Sequence, residues 1–493
     1  MVEHCYWEEG SKRQWIFCAS DNSPLDRLRE KVDLDALLYS TDGEPVNLGL
    51  RRTNDRVYSG NYVGLCRLKD IGGKNILSTD GREVVLKIEP RFDVSVAGML
   101  NALQDDDEFE RYLAPQTVRI GEPRQEADDL IRNELFHFFD HEDPIRVNDG
   151  TAWSGSIISA SVFLCMLKDL CGRPLMGSML RKEENLAGKV KGKVLFSKNI
   201  RANTLRGRDD RVYCGYLQYS EDILENQILK AALCKTESFL QRYFGASTAR
   251  RNSFREMALY CRGALSHVSQ AKITRQDMER VRATGCYVHY RPVISAAKMV
   301  LNEITVEANG RSRLTGYVVP YAVSMSRLFE LYARACLKRA GVRSCLSEGD
   351  GVRMLEYDGK ARVLAQSGSG YADYIRGNVK PDIVLYDPEH DRYAVFDVKY
   401  KNPLNSRYAR EDRLQLLAYA LMYDCDHVGI IFPSPDGEKN VCYEKNEIES
   451  VEHRRRYYHQ LELAVGQEAD CQLLSAGGGP ALSILQYVRE MTQ

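Results

Sequence analysis

The chain is 493 residues long, 44 % hydrophobic and 28 % charged, an ordinary composition for a folded protein and too long for one domain of about 150 residues. Lys and Arg total 68 against 69 Asp and Glu, for a net charge of -1, so any polyanion site must be a local patch. Collagen-like repetition, chain-wide disorder and a disulfide-built miniprotein are excluded.

The uncharged apolar run SIISASVFLCML stops at Lys168, well short of the roughly 20 residues that cross a bilayer, and no membrane association is expected. The opening residues MVEHCYWEEG hold early acids and no apolar stretch, so no secretory signal is expected. The 14 cysteines are scattered without a CxxC pair, which argues against a zinc ribbon and for a reducing, cytoplasmic setting.

Residues 1–125 carry strand-like runs at Trp15–Ala19, Leu37–Ser40, Tyr58–Leu68 and Val84–Ile88. Turns such as Thr41-Asp42-Gly43 and Thr79-Asp80-Gly81 separate them, and a β-rich N-terminal domain is predicted. The acidic run Asp105–Glu110 reads as a solvated helix start or loop. From 126 to 311 apolar residues recur at intervals of three and four, predicting helices at Ala127–Asp140, Ser156–Leu170 and Ile223–Phe244 in a mainly helical middle region.

Within that region, 181–211 holds ten basic residues against four acidic ones. Lys189, Lys191, Lys193, Lys198, Arg201, Arg206 and Arg208 make up most of the excess. Such a run is either a solvated face or a contact for nucleic-acid phosphates or an acidic partner. Tyr213, Tyr216 and Tyr219 follow at every third position, where core packing outweighs base stacking. His137 and His141 stand four apart, but no zincin glutamate follows the first, so no metal is expected there.

From 312 to 493 a helix is predicted at Ser324–Ala340 and strands at Val352–Tyr357, Ile383–Tyr386 and Tyr393–Tyr400. A second helix follows at Glu411–Tyr423, then a strand at Val428–Phe432. Interleaved helices and strands predict a mixed sheet flanked by helices, within a multidomain chain of α+β and α/β character. Ser475–Pro480 reads as a connector to a last short helix.

The chemistry concentrates in Lys380-Pro381-Asp382-Ile383-Val384-Leu385 and Ala394-Val395-Phe396-Asp397-Val398-Lys399, two apolar strands joined by a short turn. Alternation puts Asp397 and Lys399 on one face, with Asp382 at the mouth of the first strand. Paired carboxylates are hard oxygen ligands suited to Mg²⁺ or Mn²⁺, and a lysine beside them can orient or deprotonate the attacking water and stabilise developing charge. A solvated hairpin whose charges face water is the plain alternative. Glu330, on the first helix, is a third acidic ligand or a surface residue. Gln415 borders the face marked by Leu414, Leu417, Ala418 and Leu421, and either reaches the site or is a surface amide.

The stretch 380–432 resembles the PD-(D/E)xK nuclease superfamily and, more narrowly, the McrC-like subunits of McrBC-type, modification-dependent restriction systems. Tyr62-Val63-Gly64-Leu65 and the run Leu86–Phe92 (LKIEPRF) are similar to that family's N-terminal strands. Val190–Phe196 (VKGKVLF), with Glu184-Asn185-Leu186 before it and Asn226–Leu233 (NQILKAAL) after it, is similar to its middle signature. The resemblance implies an Mg²⁺-dependent DNA endonuclease subunit for antiviral defence. It docks through its N-terminal part on a hexameric AAA+ GTPase, the McrB-like partner, which reads the modified base and whose hydrolysis it stimulates. By position Asp382, Asp397 and Lys399 match the catalytic triplet, Glu330 the helix acid that joins the two aspartates on the metal, and Gln415 the downstream amide.

The resemblance leaves the residues that stimulate the partner unplaced, with the 181–211 stretch a candidate for DNA or partner contact. The chain has no G-x-x-x-x-G-K-[ST] loop, so a motor must be a separate protein. Two other readings compete: a catalytically idle adaptor that only activates the motor, and a self-sufficient RecB-like nuclease. A Cas4-like variant of the latter is weakened by the lack of a clustered four-cysteine pattern.

Overall fold

The computed structural model describes residues 4–7, 14–40, 45–92, 96–104, 116–117, 135–139, 145–147, 152–244, 253–281, 287–305, 316–318, 320–339, 342–344, 353–355, 381–387, 392–401, 406–434, 441–449, 455–463 and 465. The expected Asp105–Glu110 loop and the 475–480 connector with its last helix lie outside them.

The N-terminal strands form a sheet in which both faces are covered. Its spatial order is His4–Trp7, Gln14–Ser20, Glu83–Glu89, Tyr62–Arg67, Tyr321–Ser324, Phe136–Phe138 and Gln116–Thr117. Strict alternation drives the layering. Trp15 and Phe17, with Val84 and Leu86, enter one apolar cluster, while Ile16, Val63, Leu65 and Val85 enter another on the opposite face.

Gly64 is required by a close approach. A Cβ there would lie 2.1 Å from the Tyr321 carbonyl oxygen on the neighbouring strand, so a side chain would push Tyr321–Ser324 away.

Several expectations need correction here. Leu37–Ser40 is no strand; Leu37 makes only an isolated bridge to Asp70. The run Tyr58–Leu68 is two strands, Arg56–Tyr58 and Tyr62–Arg67. The described end of the expected helix Ala127–Asp140 is instead the strand Phe136–Phe138, paired with Tyr321–Ser324. Leu135, Phe136 and Phe139 mimic a helical spacing, but aromatic residues beside an available sheet edge favour pairing. The sheet is therefore not confined to residues 1–125.

The helices Ala152–Cys171, Leu224–Phe244, Ser253–Ala264 and Tyr290–Thr305 pack on one another. Their apolar faces join one continuous core that runs from Val63 and Val85 of the first sheet through Phe163 and Tyr290 to Phe329 and Phe396. The middle region is not only helical. The basic stretch lies in a three-stranded sheet of Ser178–Ala187, Arg211–Ser220 and Lys193–Val194, with the short helix Phe196–Ala202 beside it.

The C-terminal sheet runs Arg343–Ser344, Arg353–Leu355, Ile383–Asp387, Arg392–Val398, His427–Pro433, Arg455–Leu463, Val441–Glu449. The last two strands were not anticipated from the sequence. The helix Ser406–Met422 links the parallel strands Arg392–Val398 and His427–Pro433. Phe396 lies over Gly429 of the next strand, where a Cβ would meet its ring at 2.6 Å. No helix among the described residues is long and apolar enough to cross a membrane.

Candidate active site

Ile383–Asp387 and Arg392–Val398 form an antiparallel ladder with Ile383 opposite Phe396. Asp382 precedes the strand, and continuing its register by one step would set it opposite Asp397. Cross-strand neighbours share a face, with their Cβ atoms about 5 Å apart. Val384 and Val395 of that face pack with Leu416 and Tyr419 of the helix Ser406–Met422, so both acids leave the sheet on the helix side. The opposite face, through Ile383 and Phe396, is committed to the main core.

The Val398 N–H donates to Asp382 Oδ2 at 2.7 Å, which fixes the first acid against the second strand. Asp397 is 1 % exposed, and the Lys399 ammonium lies 2.7 Å from its Oδ2. Beyond this ion pair the buried Oδ2 has no hydrogen-bond partner. Burial opposes the charge on Lys399, but Asp397, with Asp382 and Asp412 behind it, holds the pKa above the ordinary lysine value. Lys399 is thus an ammonium in the metal-free chain.

Burial first, then the charges of Glu330 and Asp397, raises the Asp382 carboxyl to about 8, against the Val398 N–H and Lys399. Glu330 therefore acts on this site from the helix Met325–Arg339, while itself ion-paired with Arg327 one turn back. No three of the His, Cys, Asp and Glu side chains among the described residues stand together as a ready ligand set. Each carboxylate is turned instead toward a donor of the chain: Arg327, the Val398 N–H or Lys399. The donor chemistry still suits a hard divalent cation, with three carboxylates acting on one sheet end and a buried oxygen on Asp397 lacking a hydrogen bond.

Gln415 is connected to the site at one remove. Its Nε2 donates to the Tyr419 hydroxyl at 2.7 Å. Burial first, and then the nearby Asp397 charge, pushes that hydroxyl to about 12. The expected face of this helix is corrected. Leu414 and Leu421 are 58 % and 61 % exposed, and Leu416, Tyr419 and Ala420 are the buried side chains. Leu414, Leu417 and Leu421 share the spacing of a buried stripe, but the sheet contacts the helix one residue further round.

Glu330, Asp382 and Lys399 line a cleft of about 890 Å³. Its other walls include Arg327, Lys401, Arg51 and Arg91, of which Arg91 falls in a stretch marked by the sequence, the run Leu86–Phe92. Lys401 bonds Asp412 of the helix Ser406–Met422 at 2.5 Å, tying the end of the strand to the helix. The spacing Lys399-x-Lys401 held a signal for Lys401. For Arg51 only the folded chain does.

The basic stretch lies apart from the cleft lining. Lys189, Lys191, Lys193, Lys198, Arg201, Arg206 and Arg208 are all exposed; Lys193 lies in a strand of the three-stranded sheet, Lys198 and Arg201 in its short helix, and the others in the segments that connect them. Lys198 pairs with Glu183, and Lys191 lies 4.1 Å from the Tyr216 ring centroid. Tyr216 is buried, bonded to Glu184 at 2.7 Å, whereas Tyr219 is half-exposed. His137 is a buried strand residue whose ring meets Tyr62 edge-on at 5.6 Å; His141 lies outside the described residues.

A family model described as the McrBC 5-methylcytosine restriction system component matches residues 143–433, more than half of the chain and the segment that holds Glu330, Asp382, Asp397, Lys399 and Gln415. No curated protein matches the chain. Two solved assemblies from Thermococcus gammatolerans contain similar chains. One, in a refined half-complex from the tetradecameric assembly of McrB AAA+ hexamers with bound McrC, is 15 % identical; the match covers 94 % of this chain and 98 % of that one, with a TM-score of 0.36. The other, in the McrBC complex, is 13 % identical and covers 67 % and 89 %, with a TM-score of 0.28. Similarity that loose carries no structural argument.

Proposed function

Because this chain belongs to the McrBC 5-methylcytosine restriction system component family, we propose that it is the subunit that cuts DNA, a metal-dependent endonuclease of the PD-(D/E)xK kind. The observation that carries the proposal is the grouping of Asp382, Asp397 and Lys399 at one sheet end, with the Glu330 charge acting on Asp382. Asp382, Asp397 and Glu330 would hold Mg²⁺ or Mn²⁺. When bound, the ion supplies Lewis-acid polarisation of a phosphoryl oxygen and a more acidic water.

The chain's own groups do the rest. Lys399, carried as an ammonium, offsets negative charge developing on the phosphoryl oxygens. The Val398 N–H and the ladder fix the acids, so little reorganisation accompanies the reaction. Gln415 holds the Tyr419 hydroxyl beside Asp397 and is a positioning residue. The intact grouping of Asp382, Asp397 and Lys399 disfavours the idle-adaptor reading.

The partner belongs to the same proposal: an AAA+ GTPase hexamer of the McrB kind, which reads the modified base. The three-stranded sheet at 178–220 is suited to the docking surface. Alongside its basic residues it exposes Phe196, Leu205, Leu217 and Met179, at 71 %, 76 %, 65 % and 62 %, a concentration of apolar surface that marks contact sites.

The test is cleavage of modified DNA with Mg²⁺ by the full chain together with its AAA+ partner. Asp382→Ala and Lys399→Ala are each expected to lower cleavage by about a hundredfold or more while leaving partner association and GTPase stimulation intact. Undiminished cleavage by both variants would refute the site. Efficient cutting of unmodified DNA by the chain alone would favour the self-sufficient nuclease.

A further inference from the structure

The wall of the cleft that faces the acids comes from the other end of the chain. Asn22, Arg51, Asn61 and Arg91 line it; Arg91 lies just beyond the strand Glu83–Glu89 and Asn61 just before Tyr62–Arg67. Arg91 is firmly held. Its N–H donates to Asp21 Oδ1 at 2.6 Å, and its Nε lies 3.0 Å from Oδ2 of the same fully enclosed carboxylate.

Its guanidinium also lies 5.0 Å from the ring centroid of Tyr400, the residue after Lys399, and 5.6 Å from that of Phe92. Phe92 and Tyr400 meet edge to face at 5.2 Å. These ring contacts fasten the arginine to the strand end that carries the catalytic lysine. Arg51 is exposed and donates to Asn22 Oδ1, so its guanidinium is oriented without being neutralised.

The charge pattern has a direction. Glu330 and Asp382 are the acids of the lining, whereas Arg51, Arg91, Arg327, Lys399 and Lys401 are cations; all but Arg51 face a carboxylate, of Asp21, Glu330, Asp397 and Asp412 in turn. A compact anion needs no such spread. A strand of linked phosphates does, with one phosphate at the acids and its neighbours on the arginines.

We propose that Arg51 and Arg91 bind DNA phosphates flanking the scissile one, so that the N-terminal sheet forms half of the substrate groove. The proposal rests on the nuclease reading of the same cleft and gives this sheet a part in holding the substrate. Asn22 and Asn61 orient the two guanidiniums; the Arg91 Nη2 is 3.5 Å from Asn61 Oδ1.

The experiment measures binding of the full chain to a short fluorescent duplex in EDTA, across a salt series. Arg51→Ala is expected to bind about eightfold more weakly near 0.1 M salt, with a log–log slope shallower by about 0.9 for the lost phosphate contact. Arg51→Lys restores most of the slope. Arg91→Lys, which keeps the charge, is compared with Arg91→Gln among variants whose melting temperatures match, and only the latter should flatten the slope. Affinity and slope unchanged in Arg51→Ala would overturn the groove. Asp382→Ala, assayed separately for cleavage with Mg²⁺ and the AAA+ partner, separates the two readings: it should fail to cleave. Normal cleavage by Asp382→Ala defeats the nuclease reading, whereas a silent Asp382→Ala beside an unaltered Arg51→Ala defeats the groove alone.

Discussion

Two charged regions of this molecule are built in opposite ways. At the hairpin the charges are enclosed, with Asp397 at 1 % exposure, on a sheet whose two faces each join a large apolar cluster. On the sheet at 178–220 the charges stand in solvent, over a core of Leu186, Cys214 and Tyr216 with Val194 and Val212 packed against it. Part of the ordering there falls to amides. Buried Asn203 exchanges 2.8 Å hydrogen bonds with Asn185 and donates to Asn199 at 2.7 Å, and Asn199 accepts from the Tyr213 N–H. Enclosed charges are fixed in geometry, as bond-breaking chemistry requires. Exposed charges on a lightly supported sheet can adjust to a large surface, and each contributes little alone.

The sharpest way to break this contrast is to disturb packing behind the enclosed charges without touching them. Gly429→Ala drives a Cβ to 2.6 Å from the Phe396 ring and 3.0 Å from the His459 carbonyl oxygen. Overpacking of this kind costs about 1–3 kcal/mol. The expected outcome is a lower thermal midpoint and a fall in cleavage larger than instability explains, because Asp397 follows Phe396 in the chain. A normal melting curve with normal cleavage would show that the hairpin tolerates movement.

Much of the hairpin was legible beforehand because its signals are local. Asp382, Asp397 and Lys399 border continuous apolar runs, and one short turn brings them together. The Glu330 helix was equally plain from its apolar spacing. What joins distant segments was not legible. Nothing in the letters at 136–138 or 321–324 says that they enter a sheet begun at residue 4, and nothing near Arg91 announces Tyr400. The basic stretch was visible as a composition, but its strands were not, since their exposed faces carry no alternation of apolar and polar residues.

On the exposed side, Phe196→Ser combined with Leu205→Ser should weaken association with the AAA+ partner by about tenfold, the scale of a modest interface anchor. The melting temperature should stay within error of the parent, because neither side chain is buried. Unchanged association in a sedimentation or light-scattering assay would move the docking surface elsewhere.

The smallest effect sharpens the contrast from within the lightly supported sheet. Asn203→Ala removes both hydrogen bonds to the Asn185 amide, a cost of about 1–3 kcal/mol. The loss should be local. Hydrogen exchange should quicken over 185–213 while the slowest amides of Arg392–Val398 keep their protection. Equal acceleration in both places would mean that the two regions unfold as one.

The strand Tyr321–Ser324 lies between Tyr62–Arg67 and Phe136–Phe138 and leads directly into the helix of Glu330. A fragment beginning at 312, cut out to obtain the scissors alone, would leave that strand with two bare edges, ready to pair with other copies. It would also detach Glu330 from the scaffold that aims it. In this chain the blade and the handle are one forging, and shortening the handle blunts the blade.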